Sequence, residues 1–150
     1  MADRNLVLNT IKEELKNNIQ VTNGYSFTPI AVRRGVYAYN DLKGKMPALC
    51  FTFVKENPYE DDIYPVTYAD IDTKAMSLIF YGYASSNDMV DNDKIFNMVA
   101  DVETFITSSD FTYNDRLKID NIEVKEAGPG DLVQSFIMEV RIVVNNDIVQ

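Results

Sequence analysis

The residues best suited to chemistry lie between Glu60 and Asp72. Glu60, Asp61 and Asp62 form a run, and Asp70 and Asp72 follow. Carboxylate oxygens of this kind bind hard cations such as calcium and magnesium. The spacing does not match a calcium loop, however, and no glycine supplies that loop's sharp turn, so the segment reads as a solvated acidic loop. Histidine is absent, which excludes a Ser–His or Cys–His pair within one chain. Cys50 is the single cysteine. It rules out an internal disulfide and a cysteine-based zinc site, and its apolar surroundings predict a buried, inert thiol. Gly44-Lys45 lacks the earlier glycine and the following Ser or Thr of a phosphate loop. Gly128-Pro129-Gly130 reads as a turn, because proline removes an N–H that phosphate would use. Glu13 and Glu14 are helix neighbours that point in different directions. The expectation is a protein without catalytic residues, metal or cofactor, and not an enzyme.

One basic, aromatic patch remains. Arg33, Arg34, Lys43 and Lys45 flank Tyr37 and Tyr39. Such patches hold nucleic acid by charge and stacking, but the formal net charge is -9, which opposes binding to phosphate or to anionic membranes. A solvated strand, or a surface that meets acidic groups on a neighbouring subunit, fits better.

These residues must be positioned by a small set of elements. Leu8, Ile11, Leu15 and Ile19 share one face of a helix expected from Asp3 to Ile19, with Asp3 as its cap. Asn23-Gly24 ends that segment. A first strand is expected over Ala31–Tyr39, followed by a loop over Asn40–Met46. Pro47 opens a second strand, in which Leu49, Phe51 and Phe53 alternate with Cys50, Thr52 and Val54. Lys55–Thr73 reads as a long polar connection of the sort that is usually functional or mobile. In the strand Lys74–Ala84, Met76, Leu78 and Phe80 face one way while Ile79, Tyr81 and Tyr83 face the other. Apolar side chains on both faces predict a central strand, or one whose outer face meets another subunit.

Ser85–Asn92 should turn the chain, with Asp91 or Asn92 capping a helix over Asp93–Ile106. Ile95, Val99, Val102 and Ile106 form its stripe. The next strand, Leu117–Glu126, contains a conflict. Leu117 and Ile119 have one parity and Ile122 and Val124 the other, yet a strand alternates with period two. A β-bulge near Asp120-Asn121 resolves it. After the turn Ala127–Asp131, a last strand places Phe136, Met138, Val140, Ile142 and Val144 on one face and Ser135, Glu139 and Arg141 on the other.

The sequence of elements predicts an α+β fold, with a mostly antiparallel sheet and two helices packed on one face. With 150 residues and 46% hydrophobic content, a single domain over 1–150 is expected. Met1-Ala2-Asp3-Arg4 leads straight into an amphipathic helix, so no signal peptide is expected. No apolar run reaches the roughly 20 residues of a membrane span. The lone cysteine suits synthesis in a reducing cytosol.

The chain resembles the tail terminator, or tail-completion, proteins of long-tailed bacteriophages. The resemblance is diffuse and covers most of the length. It rests on the first helix followed by Asn23-Gly24-Tyr25, on Pro47-Ala48-Leu49, and on Met76-Ser77-Leu78-Ile79-Phe80-Tyr81-Gly82-Tyr83. It continues through the helix Lys94–Phe105, Leu117–Glu126, the glycine turn and Phe136–Val144. It implies a structural virion protein of the tail neck region, assembled in the host cytoplasm as a hexameric ring. Such a ring caps the tail tube, ends tail polymerisation and joins the tail to the head-side connector or stopper. In contractile tails it also meets the sheath, and DNA passes through without specific binding. The nearest alternatives are another virion ring or tube component, namely a connector, stopper or tail tube protein. A cellular ligand-binding module is more distant.

On that reading the subunit or tail-tube interface falls on Tyr59, Asp61, Asp62, Tyr64 and Tyr68 of the loop, on Ile79, Tyr81 and Tyr83, and on Arg33 and Arg34. Tyrosines suit such contacts because an apolar ring carries a polar end. Acidic side chains are expected to line the hole, letting DNA slide. Deleting Pro58–Tyr68 should abolish ring or tube-cap formation while leaving the fold intact by circular dichroism; unchanged assembly would count against the loop's role.

Overall fold

The computed structural model describes residues 3–58, 73–85 and 93–145. Helix α1 spans Arg4–Asn18, and Asp3 caps it by accepting a hydrogen bond from the Leu6 amide. A 3-10 turn at Val21–Asn23 ends on Gly24, whose φ of 93° is left-handed. Strand β1 is Ala31–Arg34, helix α2 Tyr39–Leu42, β2 Ala48–Pro58 and β3 Thr73–Ser85. Helix α3 covers Asp93–Ile106, β4 Lys118–Lys125 and β5 Val133–Asn145.

The five strands form one sheet in the order β1-β2-β3-β5-β4. Among the described residues only the β1–β2 pair is parallel. The fold is therefore α+β with a mostly antiparallel sheet. Strand β3 is central, as its two apolar faces require. Its Met76, Leu78 and Phe80 are buried with Val7, Leu8, Ile11 and Leu15 of α1 and with Ile95, Met98, Val102 and Phe105 of α3. Both long helices thus cover the same face. Each fully buried large apolar side chain contributes roughly 1.5–3 kcal/mol, so the two helical stripes hold the layers together.

The parity conflict in the fourth strand is resolved by a register shift between Ile119 and Asn121. Asp120 is the extra residue, and Ile119, Ile122 and Val124 then pair with Val140, Met138 and Phe136 on the helix-covered face. A second shift in β2 leaves Val54 between the pairs Phe53–Leu78 and Lys55–Ser77.

Several sequence expectations are corrected. The first strand stops at Arg34 rather than Tyr39, because Gly35 takes a φ of 105° and turns the chain out of the sheet. Asn40–Met46 is not all loop: α2 occupies its start, and Leu42 is fully buried. The long connection is shorter than Lys55–Thr73, since β2 continues to Pro58 and β3 begins at Thr73. Phe53 has the predicted parity but is 36% exposed, because it lies beyond the last residue of β1. Asp91 and Asn92, the expected caps of the second long helix, lie outside the described residues.

Gly82 sits on the helix-covered face between Leu49 and Phe136. A Cβ at this position would overlap the Phe136 ring. Gly82→Ala should destabilise the fold by about 1–3 kcal/mol through overpacking, read as a lower urea midpoint with an unchanged slope.

Candidate functional site

Alternation along the strands dictates a second sheet face opposite the helices. On it Ile79, Tyr81 and Tyr83 project from β3. The ladder sets Thr52, Ile79, Glu139 and Asn121 in one row across the sheet, and Ser77 and Arg141 in the next.

Part of this face is covered from within the chain. Leu42 of α2 is buried with Ala31, Ala48 and Cys50, and Tyr37, Met46, Tyr81 and Tyr83 pack against them. Tyr81 and Tyr83 are therefore partly enclosed by the crossover between β1 and β2. Ile79 instead lines a groove of about 410 Å³ with Val54, Lys55, Asp120, Glu139 and Arg141. In its wall Arg141 donates from Nε to Asp120 Oδ2 at 2.8 Å and from its terminal nitrogen to Oδ1 at 2.9 Å. The bulge places Asp120 there, and the two-pronged geometry holds the guanidinium in one orientation. The Arg141 guanidinium is held above its ordinary pKa chiefly by this hydrogen bond.

The structure separates the two arginines of the basic patch. Arg33 pairs with Cys50 in the ladder and lies over the Tyr37 ring, 5.1 Å from its centre. Arg34 points to the helix side and donates to Asn9 Oδ1 at 3.0 Å and Asn5 Oδ1 at 3.3 Å on α1. Adjacent residues in a strand cannot share a face, so a joint Arg33–Arg34 surface does not form. Tyr59, Asp61, Asp62, Tyr64 and Tyr68 lie outside the described residues, as do Glu60, Asp70 and Asp72.

A smaller cavity, about 240 Å³, opens between the end of β3 and the start of α3, beside Phe27, Lys94 and Met98. Its Ser26 is fixed by Asp101, which accepts from the Ser26 amide at 2.8 Å and from its hydroxyl. Among the described residues no group of three or more His, Cys, Asp or Glu is placed to hold a metal ion. No described helix is long and apolar enough to cross a membrane.

Compared with models of known protein families and with curated proteins, the sequence matches none. The reading of this surface rests on its residues. The groove offers an apolar floor at Ile79 beside an ordered ion pair, a composition suited to holding another polypeptide.

Cys50 is fully buried, and burial pushes its thiol up to about 11, with Arg33 pulling slightly the other way. Native Cys50 at pH 8 should react with a thiol reagent at least about 100-fold more slowly than the urea-unfolded chain. The folded state keeps a proton that the unfolded thiol releases near 9. Stability from this group is therefore complete below about pH 9 and declines towards pH 11. Tyr83, pushed up first by burial, acts in the same direction. Cys50→Ala should flatten part of that alkaline slope in urea titrations.

Proposed function

We propose that this protein is a structural virion component, a tail terminator that assembles as a hexameric ring on the end of a bacteriophage tail tube. The ring ends polymerisation and joins the tube to the head-side connector, and DNA passes through its hole. The resemblance of the sequence to that family motivates the reading.

The observation that carries it is the unequal covering of the two sheet faces among the described residues. Both long helices lie on one face. The other face keeps an open groove at Ile79 and Val54, and Val54 is 48% exposed. A ring needs a surface that receives a neighbour and a different surface that offers one, because its contacts are head-to-tail. Among the described residues, the sheet has two dissimilar edges and a second face that is only partly covered, which provides both.

The nearest alternatives, a connector, a stopper or the tube protein, share this need for subunit contacts and differ in the assembly they form. Native mass measured from low to high protein concentration, with electron micrographs of the same samples, tests the reading. Closed six-membered rings are expected. Long tubes would favour the tube protein, and a monomer throughout the range would count against the ring.

A further inference from the structure

The edge of β2 is only half occupied. Strand β1 pairs with Ala48–Phe51 and ends there, whereas β2 runs on to Pro58. The last backbone bond on that side is from the Gly35 amide to the Phe51 carbonyl, 2.7 Å long. Among the described residues, nothing pairs with this edge from Thr52 to Pro58. Seven residues of strand thus form a ledge in line with β1. Phe53 and Val54 are exposed on it. Where β1 stops, a hollow of about 410 Å³ opens, lined by Leu8, Arg34, Phe51 and Phe53. Unpaired strand edges bind extended chain: main-chain hydrogen bonds give affinity and alternating side chains give selectivity.

We infer that this ledge receives strand β4 of a second copy of the chain, so that the sheet continues from subunit to subunit. Four features point to that occupant. Strand β4 lies at the opposite end of the same sheet, and among the described residues it pairs only with β5. It has eight residues, enough to span the ledge. Three antiparallel steps separate it from β2, so the two run in opposite directions. A neighbour in the same orientation, with its helices on the same side, therefore presents β4 antiparallel to β2, the more stable pairing.

The fourth feature is chemical complementarity. Ile119, Ile122 and Val124 are half-buried on the helix-covered side of β4. Phe53 is on the same side of the ledge, opposite Leu78. Setting Phe53 against Val124, with Val54 unpaired as it is against β3, brings Lys55 opposite Glu123 on the second face and Asn57 opposite Asn121. Lys55 and Glu123 are exposed, and neither makes an ion pair among the described residues. Charges on an edge strand discourage indiscriminate pairing, so a matched opposite charge selects one partner and one register. The contact is head-to-tail. It supplies the subunit joint of the ring proposed above and rests on that reading for closure into six.

Two sets of variants test it. Chains carrying Phe53→Cys and chains carrying Val124→Cys, mixed under mild oxidation, should give an intermolecular disulfide that neither forms alone. Lys55→Glu and Glu123→Lys should each weaken self-association by roughly fivefold or more, and the double swap should restore it. Both charges are on the surface, so the fold should persist, and the cysteine pair reads the contact independently of charge. No disulfide in the mixture, or charge effects that add instead of cancelling, would overturn the edge contact. Six-membered rings that ignore all four variants would overturn it while leaving the ring reading standing. Cross-linked open chains that never close would do the reverse.

Discussion

Everything in this molecule follows from the covering of one sheet face by two helices. The alternate residues of β3 and β5, from Met76 to Phe80 and from Phe136 to Val144, are buried beneath α1 and α3. Period two then gives every intervening residue to the opposite face. The helices are keyed to the sheet by polar contacts at their ends. Glu56 of β2 holds Arg4 at the start of α1. Buried Gln134 of β5 accepts from the Ile95 amide in the first turn of α3 at 3.3 Å. That bond satisfies one of the orphan donors of the helix terminus.

The regular elements were legible because their periodicity is strong. The stripe of α3, the two-faced β3 and the long β5 follow directly from spacing. The bulge at Asp120 was legible for a subtler reason: an apolar set that changes parity must either be partly exposed or be corrected by an inserted residue. The end of strand β1 is not legible, because Val36 and Tyr37 continue a plausible strand composition and the backbone at Gly35 decides where it ends. Among the described side chains of helix α2 only Leu42 is buried, which is too little to make a pattern. Phe27, Phe111 and Tyr113 are core residues in aperiodic segments. Their burial depends on tertiary contacts, such as the ring packing of Phe111 against Phe105 and Tyr113.

The candidate surface was legible in part. Alternation places Ile79 on the face opposite the long helices, where the groove lies. Alternation cannot show that Tyr81 and Tyr83 would be partly enclosed by the β1–β2 crossover. Neither could it show that Asp120, displaced by the bulge, would meet Arg141 from the neighbouring strand. Proximity across strands depends on register, and register is set by the whole sheet. The arginines illustrate the same point: neighbours in sequence, they serve different layers, Arg33 over Tyr37 and Arg34 against α1.

Gly35 carries one more consequence. Its left-handed backbone ends β1 after four residues, and the open stretch of β2 begins where β1 ends. Each residue by which β1 ran further would occupy about 3.3 Å of that edge. The position acts as a length gauge. A side chain bearing a Cβ would strain the turn, and release of that strain by straightening would let the chain close its own binding edge. Self-sufficiency and sociability of this sheet are thus set against each other at a single residue.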